Sequence, residues 1–309
     1  MSEYLHIYEV GPRDGLQNEA AHVPTAGKLK LIDGLVDAGL HTIEAASFVH
    51  PKLVPQMADA EAVMTRVLSQ YDNTIQFVSL VLNEKGYDRA YATGSRRMAF
   101  GLAVSDTMSR RNSGMPSQQA MQVGRRLLER ARQDGVWLRV YLITAWVCPF
   151  EGPVSPRRTI AFAEQLWEMG APELAVADTI GHAHPLEVGW MMEELGRRLD
   201  MSRLAVHLHD TQAMGLANAG AAIRAGVRIL DSSVGGLGGC PFAPGAAGNL
   251  ATEDLVFMAY KMGMGTGVDF NKLWQVVYQA EEMVGRPIGG RIRSWWEANC
   301  DTLPVPPFA

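Results

Sequence analysis

Two histidines one residue apart, His207 and His209, stand near the end of the apolar run Leu204-Ala205-Val206-His207-Leu208-His209-Asp210. Alternate side chains of an extended strand point the same way, so the two imidazoles would project together. Imidazoles paired in this way suit a divalent metal; the plainer alternative is two polar strand-end residues with no ligand role. Far earlier in the chain, Arg13 and Asp14 follow Gly11 and Pro12, where another apolar run breaks. Asp14 could complete a metal site with a hard carboxylate oxygen, and Arg13 offers a fixed cation for a developing oxyanion. The alternative is an Arg–Asp turn that only ends the strand. Glu44 stands inside the apolar stretch Ile43-Glu44-Ala45-Ala46. A buried carboxylate needs a partner, and Arg13 is the candidate, for chemistry or for structure alone.

A glycine-rich segment over residues 233–249 carries Cys240 between Gly239 and Pro241. Pro241 and Pro244 prevent a helix from starting directly after the glycines, and no Lys-Ser or Lys-Thr follows, so a phosphate loop is excluded. The segment reads as a lid with glycine hinges, and a cysteine held there is more exposed and reactive than one in a core. Asn249 closes the segment just ahead of Thr252-Glu253-Asp254, either as a residue at a helix start or as a neutral oxygen ligand. A second pair, His182 and His184, has no supporting carboxylate spacing and reads as loop surface.

These residues need elements to position them. Eight short, nearly continuous apolar runs begin near residues 5, 42, 74, 98, 137, 173, 204 and 228. Such runs fit parallel strands buried on both faces. Helical periodicity fills the gaps. Lys28, Leu29, Leu31, Ile32, Leu35 and Val36 form one face, residues 117–133 form a further helix, Ser155-Pro156 opens another with Pro at its first position, and residues 271–284 are helical. Eight strand–helix units predict an α/β fold, a (β/α)8 TIM barrel, as a single catalytic domain with the barrel over about 4–265 and a C-terminal helical extension over about 266–309. An open doubly wound sheet would want a GxGxxG turn after an early strand, and none is present. Barrels of this kind place their chemistry at the C-terminal ends of the strands, where Arg13, Asp14, Glu44 and both histidines fall.

The bulk properties agree with an enzyme in solution. Of 309 residues 47% are hydrophobic and 20% charged, an ordinary globular balance. A net charge of -5 gives no reason to expect nucleic acid as a partner. No stretch approaches the roughly 18 apolar residues that span a membrane, and the first residues carry no basic or Arg-rich targeting segment, so a cytoplasmic location is expected. Cys148, Cys240 and Cys300 form neither a CxxC pair nor a disulfide framework.

Three motifs carry a family resemblance. They are Gly11-Pro12-Arg13-Asp14-Gly15-Leu16-Gln17-Asn18-Glu19, His207-x-His209-Asp210-Thr211, and Val234-x-Gly236-Leu237-Gly238-Gly239-Cys240-Pro241-x-Ala243-Pro244-Gly245. With Cys148-Pro149-Phe150-Glu151-Gly152 and Ala251-Thr252-Glu253-Asp254-Leu255-Val256 they resemble the 3-hydroxy-3-methylglutaryl-CoA lyase family, in order along nearly the whole chain. The resemblance implies Mg2+ or Mn2+ held by Asp14, His207, His209 and Asn249. It implies Arg13 facing the thioester, Glu44 orienting it, Cys240 closing over the substrate, and Gln17, Ser47 and Thr179 lining the site. The reaction implied is cleavage of an acyl-CoA thioester to acetyl-CoA and a 3-oxo acid, which is acetoacetate for the methyl substrate. His207 or a water would take the hydroxyl proton. The family is often dimeric, so a homodimer is expected by analogy.

Some positions depart from the family pattern: Asp106 and Gly114, Trp146 and Val147 ahead of Cys148, Ala177, and Gln212-Ala213-Met214. They fall near strand ends expected to line the pocket. The metal set and Arg13 are kept, so the departures imply retained chemistry on a C3 group larger than methyl or differently shaped. Two other readings compete. A condensing enzyme on the same barrel would join an acyl-CoA to a 2-oxo acid, against which Cys240 speaks. An inactive binding barrel would not need Arg13, Asp14, both histidines and Cys240 together.

Overall fold

Each of the eight apolar runs becomes a strand in the computed structural model, which describes residues 3–239 and 248–300. The strands are β1 (His6–Glu9), β2 (Thr42–Ser47), β3 (Gln76–Val81), β4 (Arg97–Ala103), β5 (Trp137–Ile143), β6 (Leu174–Asp178), β7 (Leu204–Leu208) and β8 (Ile229–Ser232). All are parallel and pair in chain order, and the ring closes where β8 returns to β1, from His6 opposite Ile229 to Glu9 opposite Ser232. The closed ring excludes the open doubly wound sheet. A two-stranded hairpin, Val147–Cys148 with Gly152–Pro153, decorates the loop after β5.

Eleven helices surround the strands among the described residues: α1 (Thr25–Asp37), α2 (Ala60–Gln70), α3 (Glu84–Ala92), α4 (Asp106–Ser113), α5 (Ser117–Asp134), α6 (Pro156–Glu168), α7 (Pro185–Gly196), α8 (Gly215–Arg224), α9 (Thr252–Lys261), α10 (Phe270–Val284) and α11 (Arg293–Asn299). The expected apolar face of α1 is buried at Lys28, Leu31, Ile32 and Leu35. Lys28 is tolerated there because its Nζ donates to Asp59 Oδ1 at 2.5 Å and to the Gln56 carbonyl, which offsets the loss of water around its charge. α6 starts with Pro156 at its first turn, as the sequence implies, although the Ser155 side chain makes no capping hydrogen bond. No described helix is long and apolar enough to cross a membrane.

After the last strand–helix unit, α10 packs against α1 and α9. Phe270, Leu273, Trp274 and Val277 are buried there, and Trp274 stacks on Trp296 of α11 with centroids 5.8 Å apart. Each buried Phe or Leu side chain contributes roughly 1.5–3 kcal/mol, so this segment is fastened to the barrel wall.

A separate apolar cluster fills the barrel itself: Tyr8, Val10, Val78, Leu80, Ala99, Tyr141, Ala175 and Ala205. Alternate strands fill such interiors in layers. Here Ala99, Ala175 and Ala205 are small where Tyr8, Tyr141 and the wholly buried Arg139 are large. Gly101 lies opposite Tyr141 in the β4–β5 register, and a Cβ there would meet Ile143 Cδ1 at 2.9 Å. These size choices bring two phenols and a guanidinium beneath the C-terminal mouth.

Candidate active site

The chain leaves β1 in one wide turn. The amides of Arg13, Asp14 and Gly15 all donate to the Val10 carbonyl, at 3.1, 2.7 and 3.2 Å. Glycine is required at both ends of this turn. A Cβ on Gly11 would meet Glu9 Oε1 at 2.5 Å, and one on Gly15 would meet Leu237 Cβ and Ser233 Oγ at 2.9 Å. The Gly-Pro-Arg-Asp-Gly pattern therefore builds a tight ledge that sets Arg13 and Asp14 over the barrel mouth.

Across the mouth, His207 and His209 project together, with their Nε2 atoms 3.2 Å apart. Asp14 Oδ2 lies 4.0 Å from His207 Nε2. One ligand atom from each of Asp14, His207 and His209 falls within 4.8 Å of the others. Asn249 bridges to His209 through the backbone, and its Nδ2 donates to Asp14 Oδ2 at 2.8 Å and to the Leu237 carbonyl at 3.0 Å. The structure thus brings together the four side chains expected to surround one cation.

The residues fit a divalent ion on their own terms. Asn249 Oδ1 is buried without a hydrogen-bond partner, and buried polar atoms rarely stay so without a missing partner. Neighbouring ligands at bonds of about 2.1 Å and right angles lie about 3 Å apart, close to the observed imidazole spacing. Burial, with the His207 ring and the Arg13 guanidinium nearby, lowers His209 to about 4 against the pull of Asp14, so its ring is neutral with a lone pair to give. Burial works against ionising Asp14. The Arg13 guanidinium, with the two imidazoles and the Asn249 hydrogen bond beside it, outweighs burial and holds the carboxyl well below its ordinary range. Two nitrogens with carboxylate and amide oxygens suit a divalent ion.

Arg13 is buried between two carboxylates. Its Nε donates to Glu44 Oε1 and its Nη1 to Asp14 Oδ1. Burial opposes its charge, and Glu44 and Asp14 more than restore it. Glu44 is in turn fixed by the Tyr141 and Tyr8 hydroxyls, which donate to Oε2 at 2.9 and 3.2 Å. The β2 register slips between Glu44 and Ala46, an irregularity of the kind that re-aims side chains at sites.

A cavity of about 510 Å³ opens above these groups, lined by Arg13, Asp14, Gln17, Thr179, His207 and His209 on its polar side and by Leu80, Leu82, Met108, Ile143 and Ala177 on its apolar side. That volume suits a small-molecule ligand. Thr179 Oγ1 accepts from the Thr144 amide at 2.8 Å, and Gln17 Oε1 is buried without a partner. Ser47 is buried at the end of β2 with an unpartnered Oγ, but it is not among the residues that line the cavity. Cys240 and the middle of its glycine segment lie outside the described residues.

The sequence reading missed Asp231, Arg139, Tyr8 and Tyr141. Asp231 Oδ2 lies 3.1 Å from His207 Nδ1, and its Oδ1 accepts from Arg139 Nη2 at 2.5 Å. A polar residue within an otherwise apolar strand, as in Ile229-Leu230-Asp231-Ser232, was the available signal. Only Ala177 of the family departures lines the cavity. Three of the others have local work: Gly114 ends α4 at φ +74°, Asp106 accepts from the Ser117 amide at 3.0 Å, and Val147 belongs to the hairpin. The expectation that they cluster in the pocket is corrected accordingly. His182 and His184 are exposed, and His184 caps α7, as the loop-surface reading requires.

Residues 4–279 match the HMGL-like family model. The chain is 43% identical over 273 residues to the mitochondrial hydroxymethylglutaryl-CoA lyase of Mus musculus, covering 88% of this chain and 83% of that one. Its structure superposes on the HMG-CoA lyase of Bacillus subtilis with a TM-score of 0.92 at 36% identity, covering 96% of this chain and 98% of that one. It superposes on an HMG-CoA lyase of Acinetobacter baumannii, solved in complex with coenzyme A and 3-methylmalate, with a TM-score of 0.91 at 35% identity and 98% coverage of both. A barrel that closes on the expected strands, with the expected donors at its mouth and relatives matched along most of its length, belongs to the HMGL-like family.

Proposed function

We propose that this chain is a divalent-metal-dependent carbon–carbon lyase that cleaves 3-hydroxy-3-methylglutaryl-CoA, or a close 3-hydroxy-3-substituted acyl-CoA, to acetyl-CoA and a 3-oxo acid. The observation that carries the reading is the meeting of Asp14, His207 and His209 within 4.8 Å beside the buried Arg13. Asp14, His207, His209 and Asn249 would hold Mg2+ or Mn2+, which when bound acidifies the substrate hydroxyl and polarises the forming ketone. As C2–C3 breaks, its electron pair moves toward the thioester oxygen as an enolate. Arg13 has Nε and Nη1 engaged by Glu44 and Asp14, which aims the rest of its guanidinium at that oxygen. A preorganised donor of this kind contributes about 3–4 kcal/mol to the transition state.

His207 cannot serve as ligand and base through the same lone pair. Its Nδ1 faces Asp231 and its Nε2 faces His209, so the ligand role is the better fit and a water in the cavity takes the hydroxyl proton. The Cys240 thiol would return a proton to C2, and closure of its segment would exclude water that screens the charges. Gln17 and Thr179 line the cavity, and its apolar wall at Leu80, Leu82, Ile143 and Ala177 would receive the C3 substituent.

The test is incubation of purified protein with CoA thioesters of varied C3 substituent, in Mg2+, Mn2+ or chelator, with acetyl-CoA and 3-oxo acid measured together. Metal-dependent release of both products in equal amounts supports the reading. Stable thioesters throughout would overturn it.

A further inference from the structure

An imidazole that ligates a cation must offer it a bare nitrogen, so its hydrogen must sit on the other one. The two ring nitrogens of His207 have different surroundings. Nε2 faces His209 Nε2 at 3.2 Å and Asp14 Oδ2 at 4.0 Å, whereas Nδ1 faces Asp231 Oδ2 at 3.1 Å. An ionised carboxylate can only accept. Asp231 therefore takes the Nδ1 hydrogen and leaves the lone pair on Nε2, among the other donors.

Asp231 is itself fixed from below. It is 1% exposed, and Arg139 Nη2 donates to its second oxygen at 2.5 Å. Arg139 is wholly buried, with its guanidinium 3.9 Å from the Tyr8 ring centroid and 4.8 Å from that of Tyr141, and its Nε lies 3.1 Å from Glu173. The strand register sets these groups side by side: Asp231 lies opposite His207 in the β7–β8 pair and opposite Tyr8 in the β1–β8 pair. Neither side chain of the Asp231–Arg139 pair lines the cavity, so neither is placed to touch substrate.

We propose that Asp231, locked by Arg139, is the positioning residue of the metal centre: it holds His207 as the Nδ1–H tautomer and aims Nε2 at the cation. This rests on the metal reading above and adds a named cause for its geometry. An ion pair that merely filled the barrel would lower stability when broken, without moving the tautomer or the metal affinity. Asp231 is the cleaner residue to change, because Arg139 also touches Tyr8 and Tyr141, which hold Glu44 and through it Arg13.

The experiment compares wild-type protein with Asp231→Asn. In the variant the side-chain carbonyl stays with Arg139 and the amide turns to Nδ1, which drives the imidazole hydrogen onto Nε2. In metal-free protein, 15N imidazole NMR should report His207 as Nδ1–H in the wild type and Nε2–H in the variant. Mn2+ affinity, read from the free-ion EPR signal, should fall about 10- to 100-fold in the variant. An Nε2–H tautomer in the wild type overturns the proposal, as does a variant that binds Mn2+ as tightly as the wild type. If the variant does not fold, the wild-type tautomer alone decides. Failure of the metal reading shows itself separately, as wild-type protein that binds no Mn2+.

Discussion

Arg13 carries its charge in a position where most side chains could not keep one. It is 6% exposed and clasped by Glu44 and Asp14, so the protein has already met the cost of desolvating it before any substrate arrives. Arg13→Gln keeps the length and polarity and removes the cation. Turnover should fall by roughly 100-fold or more with Mn2+ binding retained, checked by acetyl-CoA release beside a metal titration; near-normal turnover counts against its role. Residues of this kind stood out in the sequence as candidates by type and spacing, an HxH pair at a strand end and an Arg-Asp pair at a Gly-Pro break, and the family resemblance joined them into one set. The supporting layer did not stand out. Asp231 meets His207 across 24 residues of chain and Arg139 across 92, and such partnerships follow from strand register, which no local pattern encodes. The order of side chains along a strand tells which way a residue points; it does not tell what stands opposite.

At the scale of elements, the eight strands were readable because each is buried on both faces and so is apolar almost throughout. The wide turn over residues 11–15 was not, since its glycines answer to crowding by Ser233, Val234 and Leu237, and neither was the register slip at Glu44. One further junction escaped the sequence reading. The root of the glycine segment and the turn between α10 and α11 share a buried carboxylate: Glu253 accepts from the Gly235 amide at 3.0 Å and the Gly290 amide at 2.6 Å. Burial pushes Glu253 up to about 8 from an ordinary 4.5, with Asp254 adding to the rise and the two amides opposing it. The sign follows from linkage. The folded chain holds this proton more tightly than the unfolded one, so the contribution is fully present below about pH 4.5 and is lost as pH rises through about 8. Denaturant unfolding of wild type and Glu253→Gln between pH 5 and 8.5 should show the wild type losing ground to the variant, by at most about 1.4 kcal/mol per pH unit. The variant loses one acceptor and is weaker overall, so the slope with pH is the decisive quantity. Parallel slopes would place the proton elsewhere.

For the molecule as a whole, a ligand that binds only the folded barrel stabilises it by mass action. Mn2+ at 100 times its dissociation constant should add about 2.7 kcal/mol to unfolding, and Asp14→Asn should erase most of that gain; thermal midpoints measured with and without Mn2+ check both. The donors are spread over the chain in a telling way. Asp14 follows the first strand, His207 and His209 end the seventh, and Asn249 follows the eighth, with Asn249 and Asp14 hydrogen-bonded across 235 residues. They meet at the seam where β8 returns to β1. During synthesis the cluster therefore stays incomplete until almost the entire ring has emerged, and ion occupancy would work as a latch on the closed barrel. A circular permutant with its new ends between β4 and β5 would carry the donors on consecutive strands and could grip the ion before the circle is finished, turning a late event of folding into an early one.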